Sequence, residues 1–185
     1  IVTEIDPIRA IEAKMDGFEV MKMIDAVKVS DIVMTVTGCK DIIKDEHLRQ
    51  MRDGCMLCNV GHFDNEINKD ALNDASVSVA RVRDFVDEYK LKDGRCIYLI
   101  AEGRLMNLAA GQGHPAEIMD MSFAVQALTI EYLVKNHKKM ENKVYPVPSE
   151  IDTVIAEHKL KAMGVTIDTL SNEQKKYISG WEEGT

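Results

Sequence analysis

The 185-residue sequence predicts an α/β domain built on a doubly wound parallel sheet, followed by helices. Two β-prone runs, residues 32–36 and 55–60, are apolar almost throughout, as in strands buried on both faces of a parallel sheet. Short helical patterns separate these runs, which implies right-handed crossovers between parallel strands. From Pro115 onward the pattern becomes helical.

The amino-terminal part alternates short strands and helices. The β-branched residues 1–3 indicate the end of a strand, and Asp6-Pro7 begins a helix, because a proline at the first helical position loses no hydrogen bond. This helix should end near Gly17. A short strand over 18–21 is expected next, and then helices over 23–29, 45–51 and 67–74.

Three β-prone stretches follow, at 76–83, 85–89 and 95–100, and Lys92-Asp93-Gly94 forms a hairpin turn between the last two. Residues 116–136 are almost uniformly apolar, which a helix tolerates when it is buried nearly all round. Residues 149–163 predict an amphipathic helix that Gly164 ends as a left-handed cap. The spacing of Ser171 and Gln174 is that of a capping box, which predicts a last helix to residue 179.

The composition indicates a globular protein of a reducing compartment, with 45% hydrophobic and 29% charged residues. The 23 basic and 31 acidic side chains give a net charge of -8, which argues against nucleic acid or an anionic membrane as a partner. Four cysteines are too few for a disulfide framework, so we expect a cytoplasmic protein. The apolar stretch 119–134 contains Asp120, Gln126 and Glu131, so no membrane span is expected. No zinc-type spacing of Cys and His occurs, and no metal site is expected.

Polar residues and glycines follow the ends of the predicted strands, where open α/β sheets bind their ligands. Thr37-Gly38 follows the first buried strand, and Gly61-His62 follows the second. A third cluster spans residues 101–115, where a ligand could meet loop donors and a helix start. The same patterns also suit a structural histidine and a glycine-rich hinge between two domains.

Glu4 follows the first β-branched run and could bind a nucleotide ribose. In a Rossmann unit, an acid at the end of the second strand accepts both ribose hydroxyls of NAD and repels the 2′-phosphate of NADP. A solvated loop acid would have the same local sequence. The glycine fingerprint expected upstream is missing, so we expect a Rossmann-like sheet truncated at its first strand.

Five strings bear a family resemblance: TEIDPIRAIEAKMDGFEV, VTGCKDII, CNVGHFDNEI, LIAEGRLMNLAAGQGHPAEIM and MGVTIDTLSNEQKKYI. The order and spacing of these strings fit S-adenosyl-L-homocysteine hydrolases, and the sequence resembles that family over essentially its whole length. Chains of that family are considerably longer, so the resemblance implies a carboxyl-terminal portion without the amino-terminal substrate domain. It implies a Rossmann NAD-binding domain over 1–113, a hinge and helices that pack on the substrate domain over 114–165, and an oligomerisation tail over 166–185.

The resemblance implies an enzyme of one-carbon metabolism that hydrolyses S-adenosyl-L-homocysteine reversibly to adenosine and homocysteine. In that family the ribose 3′-hydroxyl is oxidised by bound NAD, which makes the neighbouring 4′ proton acidic. Homocysteine then leaves by elimination, water adds, and the ketone is reduced again. The resemblance also implies a homotetramer, NAD as cofactor and a small-molecule substrate.

Individual roles also come from the resemblance, residue by residue. The cofactor-binding residues would be Glu4, Arg9, Thr37, Val60, Gly61, His62, Asn107 and His114. Leu105, Leu108 and His114 would contact the substrate, and His62 and His114 would be catalytic. Arg9 stands where the family more often has Asn, which could weaken the preference for NAD over NADP.

The acids and the lysine usually assigned to proton transfer lie outside this sequence. We therefore expect the isolated chain to be inactive and to bind NAD weakly or not at all. The tail after Gly180 is short, which resembles the archaeal branch and puts an intersubunit clamp on the cofactor in doubt.

Other functions stay open from the sequence. They are hydrolysis of S-inosyl-L-homocysteine, an NAD-dependent 2-hydroxyacid dehydrogenase, and a non-catalytic oligomerisation module that uses the apolar helix 116–136. Cys55 and Cys58 have the spacing of a redox motif, but their place in a strand argues against that role.

Overall fold

The computed structural model describes residues 1–181. The chain divides into two compact units, Ile1–Gly113 and His114–Thr185. The first unit contains helices and all five strands of a sheet: α1 (Pro7–Met15), α2 (Met23–Ala26), β1 (Ile32–Thr35), α3 (Asp45–Leu48), β2 (Cys55–Asn59), α4 (Lys69–Ala75), β3 (Ser76–Arg83), β4 (Val86–Leu91), β5 (Cys96–Ile100) and α5 (Met106–Ala109).

The start of α1 follows from local chemistry. The Asp6 side chain accepts hydrogen bonds from the N–H groups of Ile8 and Arg9, and Pro7 occupies the first turn. This confirms the predicted helix start, because the cap satisfies N–H groups that have no partner inside the helix. The β-prone residues on either side of α1 meet in an isolated parallel bridge between Val2 and Val20.

The sheet has the strand order β1-β2-β5-β4-β3 and is mixed. β1, β2 and β5 are parallel, whereas β4 is antiparallel to both β5 and β3. The α/β Rossmann-like class is confirmed, and the predicted hairpin turn at residues 92–94 makes the sheet mixed rather than wholly parallel. The reason is the tight turn between β4 and β5, where Gly94 has a φ of +95° and the chain reverses. So short a connection can join only antiparallel strands.

The core of this unit lies against one face of the sheet. Helices α3 and α4 bury Leu48 and Leu72 completely against Leu57 and Leu99 of the central strands. β1 differs from the prediction of a strand buried on both faces. Its Val33 is buried, but Ile32 on the other face is 57% exposed.

The second unit is helical, with α6 (Ala116–Asn136), α7 (Ser149–Ala162) and α8 (Asn172–Ser179). Gly164 has a φ of +69° after α7, and Ser171 and Gln174 form the predicted capping box of α8. α6 has no buried residue, so the prediction of a helix buried nearly all round is wrong for this chain. Among the described residues α6 packs mainly against α7, which covers only part of its circumference.

No helix among residues 1–181 is long and apolar enough to cross a membrane. The last four residues of the predicted tail, 182–185, lie outside the described residues.

Candidate cofactor-binding site

The carboxyl ends of three parallel strands lie side by side at one edge of the sheet. Thr35 of β1 is the register partner of Asn59 of β2, and Leu57 of β2 is the partner of Leu99 of β5. The chain leaves these strands into the segments that carry Thr37, His62 and Asn107. Parallel pairing thus brings all three predicted segments to the edge where open α/β sheets bind ligands.

Glu66 ties the loop after β1 to the loop after β2. Its side chain is completely buried, and Oε2 accepts hydrogen bonds from the N–H and Oγ1 of Thr37 at 3.0 and 2.9 Å. Oε1 accepts the N–H of Gly38 at 2.6 Å. Three hydrogen bonds to a buried carboxylate replace its lost hydration and hold the Thr37-Gly38 backbone in one conformation.

Gly61 lies so close to Glu66 that it has no space for a side chain. A Cβ built on Gly61 would stand 1.6 Å from Oε1 of Glu66 and 3.0 Å from Oδ1 of Asn59. The backbone therefore approaches the buried polar groups as only glycine allows. Sequence reasoning assigned Gly61 to cofactor contact, and the structure adds this packing requirement.

His62, Leu105 and Leu108, three of the predicted site residues, line one cleft. The cleft has a volume of about 540 Å³ and is also lined by Phe63, Asp64, Arg104 and Ala109. The rings of His62 and Phe63 meet edge to face, with centroids 4.5 Å apart. The cleft combines an exposed imidazole with an apolar wall, which suits a ligand that has both a polar group and a flat ring.

Asn107 lies on α5, beside the cleft-lining Leu105 and Leu108 in sequence. Its Oδ1 is buried and accepts no hydrogen bond from the part of the chain that the structure describes. Buried polar atoms normally have a partner, so this unpaired oxygen is an exception within the described residues.

Thr37 uses its hydroxyl inside the protein. Oγ1 donates to Glu66 and accepts the N–H of Cys39 at 3.1 Å. Its only proton is thus taken, and one lone pair remains for a ligand. Val60, also predicted to contact the cofactor, donates its N–H to the carbonyl of Thr35 at 2.8 Å.

Glu4 and Arg9 lie close enough to interact, on either side of the start of α1. The N–H groups of Asp6 and Ile5 donate to the Glu4 carboxylate at 3.0 and 2.6 Å. These bonds, with a smaller contribution from the charge of Arg9, lower the pKa of Glu4 below 4.5 and keep it ionised. None of the described hydrogen bonds joins these two residues to the strand-end loops.

His114 is the first residue of the second unit, whereas the other predicted site residues belong to the first. It is exposed and immediately precedes Pro115, the N-cap residue of α6.

Sequence reasoning assigned no role to two buried polar residues at this edge, Asn59 and Glu66. Both are 0% exposed and hydrogen-bonded to the site loops. Their signal in the sequence is a strongly polar residue where the pattern otherwise predicts burial, at the end of β2 for Asn59 and directly before Ile67 for Glu66. Such residues stay buried only when the fold supplies several hydrogen bonds.

The structure offers no redox or metal centre within residues 1–181. Burial raises the pKa of Cys55 to about 11 and also raises that of Cys58, so both are protonated thiols at neutral pH. Among the described residues no three His, Cys, Asp or Glu side chains come together as metal ligands.

The chain is similar to known proteins over its whole length. Residues 1–113 match the family model described as "S-adenosyl-L-homocysteine hydrolase, NAD binding domain". Over all 185 residues the chain is 57% identical to the S-inosyl-L-homocysteine hydrolase of Methanocaldococcus jannaschii and 57% identical to the adenosylhomocysteinase of Aquifex aeolicus. It is 54% identical to the adenosylhomocysteinase of Saccharolobus solfataricus.

The chain spans 44% of the length of each of these three relatives. The match to the NAD-binding domain confirms the prediction of NAD as the cofactor, and it covers the unit that holds the strand-end loops. The chain belongs to the S-adenosyl-L-homocysteine hydrolase family.

Proposed function

We propose that this chain provides the NAD-binding part, and some of the substrate contacts, of an enzyme that hydrolyses an S-nucleosyl-L-homocysteine to a nucleoside and homocysteine. The observation that carries the proposal is the cleft at the carboxyl ends of the strands, where His62 faces Leu105 and Leu108 in a domain of the NAD-binding type. A chain of 44% of its relatives' length would act as one portion of the catalytic unit.

The residues present fit NAD. The free acceptor of Asn107 is of the kind that an amide N–H₂ group, such as the nicotinamide carboxamide, would satisfy. The ionised Glu4 is an acceptor for ribose hydroxyls. When bound, NAD supplies a reversible hydride acceptor for the 3′ carbon of the substrate ribose.

The chain's own residues orient the ligands and limit access of water. Thr37, Val60 and Gly61 would contact the cofactor from loops that Glu66 holds in place. Leu105 and Leu108 would cover an apolar ring of the substrate. The imidazole of His62 would hydrogen-bond at the reacting end of the cleft, and His114 and Arg9 would add contacts to substrate and cofactor, respectively.

The cofactor part of the proposal is tested by NMR titration of the chain with NAD. We expect weak, saturable shifts at the amides of Gly61, His62 and Asn107. Asn107→Leu removes the free acceptor at similar volume and should weaken binding by about tenfold. Asn73→Leu, at an exposed position of α4, is the matched control and should have no effect. Saturable shifts confined to other residues would contradict the proposal, and if the isolated chain shows none, the Asn107 variant and its control are compared for NAD binding in the full-length protein.

The activity is tested on the full-length protein that contains this chain. We expect release of a thiol and a nucleoside without net formation of NADH. Accumulation of NADH from a free 2-hydroxyacid would instead support a dehydrogenase. Homocysteine thioethers of adenosine and inosine are compared by kcat/KM, because relatives named for both activities are equally similar to this chain.

We further infer a cytoplasmic homo-oligomer, a tetramer, with no nucleic-acid or membrane partner. The many exposed apolar residues of α6 support association with further protein, and the net charge of -8 disfavours polyanions. If the chain instead served only as an oligomerisation module, the variants at Asn107 would leave every measured property unchanged.

A further inference from the structure

Asn59 is the last residue of β2, is 0% exposed and has five hydrogen-bond contacts. Its Oδ1 accepts the N–H of Gly61 at 2.7 Å and the hydroxyl of Thr35 at 3.2 Å. Its Nδ2 donates to the carbonyls of Phe63 at 2.8 Å, Gly103 at 2.9 Å and, more weakly, Gly61 at 3.3 Å. One buried side chain thus joins the ends of β1 and β2 to the turn after β5.

The surroundings of Asn59 require an amide in this orientation. Only donors face its oxygen, and only carbonyl oxygens face its nitrogen, so a rotated amide would oppose like groups on both sides. A carboxylate would have no proton for the three carbonyls, and a buried carbonyl without a donor is costly.

The turn that Asn59 holds after β5 is strained. Ala101, Glu102 and Gly103 have φ values of +52°, +58° and +77°, three successive residues in the left-handed region. For the two that carry a Cβ this conformation is unfavourable, so neighbouring contacts must stabilise it. The bond from Asn59 to the Gly103 carbonyl is such a contact.

Both segments that Asn59 joins carry predicted ligand contacts. Gly61 and Phe63 flank His62, and Gly103 leads into Leu105, whose backbone also bridges to that of Asn59. His62 and Leu105 line the same cleft, and Asn107 follows on α5. The spacing of the two segments therefore depends on one amide.

We propose that Asn59 is a positioning residue that sets the separation of the His62 loop and the Leu105–Asn107 segment. Through these segments it shapes the part of the site that receives the nicotinamide. The identity of this ligand rests on the proposed function, whereas the link between the two segments does not.

The link is tested by amide hydrogen exchange in the Asn59→Asp variant, which keeps an acceptor for Gly61 but has no donor for the carbonyls. The N–H of Arg104, which closes the turn on the carbonyl of Ala101 at 3.0 Å, should exchange at least about tenfold faster. The N–H of Gly61 should change by less than about threefold. If the aspartate variant does not fold, Asn59→Ser, which buries no charge, replaces it with the same expectation for Arg104.

Thr35→Val is the matched control, because it removes one hydrogen bond to the same amide oxygen but none to either loop. It should leave the exchange of Arg104 unchanged. Equal exchange of Arg104 in the Asn59 and Thr35 variants would overturn the proposal.

A second measurement compares NAD with ADP-ribose, which lacks the nicotinamide. In the Asn59 variant, binding of NAD should weaken by about tenfold more than binding of ADP-ribose, because only the nicotinamide end is displaced. A purely structural role would weaken both equally, and that result would overturn the positioning role. These affinities are measured on the full-length protein that contains this chain; if that protein binds neither ligand, the proposed function fails, while the exchange of Arg104 still decides whether Asn59 links the segments.

Discussion

Replacement of Gly61 by alanine tests the close packing of the buried polar groups beneath the site. The new Cβ would lie 1.6 Å from Oε1 and 2.5 Å from the Cδ of Glu66. The carboxylate would have to move by more than about 1 Å to reach an acceptable contact. That movement breaks or stretches its hydrogen bonds to Thr37 and Gly38, which are now 2.6 to 3.0 Å long.

The expected cost follows from two contributions. Overpacking a well-packed site costs about 1–3 kcal/mol, and a hydrogen bond to a charged group contributes about 1.5–3 kcal/mol. With one such bond lost and the loop partly relaxed, we expect the free energy of unfolding to fall by about 3 kcal/mol. For a chain of this size the melting temperature would fall by roughly 6–12 °C.

The assay is urea unfolding followed by circular dichroism. Gly54→Ala is the control, because Gly54 has a φ of +80° but no atom within 4 Å of a Cβ, so alanine there should cost only about 1–2 kcal/mol of backbone strain. In a Glu66→Ala background, Gly61→Ala should cost less than about 1 kcal/mol, because the clashing group is gone. The reasoning is refuted if Gly61→Ala is no more destabilising than Gly54→Ala, or costs the same in both backgrounds.

Three further predictions concern other parts of the chain. Burial lowers the pKa of His47 below 6.5, and its Nδ1 accepts the N–H of Lys44 at 3.1 Å. Since the unfolded chain then binds the proton more readily, stability should fall as the pH drops below about 6.5, and His47→Gln should flatten this part of the profile. A thiol reagent at neutral pH should label exposed Cys39 well before Cys55, whose pKa is about 11, and equal rates would be a contradiction. The chain should self-associate through α6, where Phe123 is 57% exposed, and Phe123→Glu should shift light scattering towards the monomer. A monodisperse monomer of the unaltered chain would exclude this association.

Local signals in the sequence located most elements well. The helix start at Asp6-Pro7, the turn at Gly94 and the cap at Gly164 depend on residues within one turn of each other. Their hydrogen bonds and backbone angles are set by neighbours in the chain, so a single sequence carries the information.

The burial predictions for β1 and α6 were wrong for a common reason. Ile32 of β1 and Phe123 of α6 are both more than half exposed, although their segments are strongly apolar. Hydrophobic patterning indicates that a segment has an apolar surface that favours burial. It does not indicate which other segment or chain covers that surface.

The sequence by itself determined the α/β class, the positions of the strand ends and the clustering of polar residues after them. Only the tertiary structure decided how those ends are connected. Glu66 reaches Thr37 across 29 positions of the chain, and Asn59 reaches Gly103 across 44. Such bonds form only after parallel strands have aligned their carboxyl ends, because nothing in the local geometry of a segment specifies a partner so far along the chain.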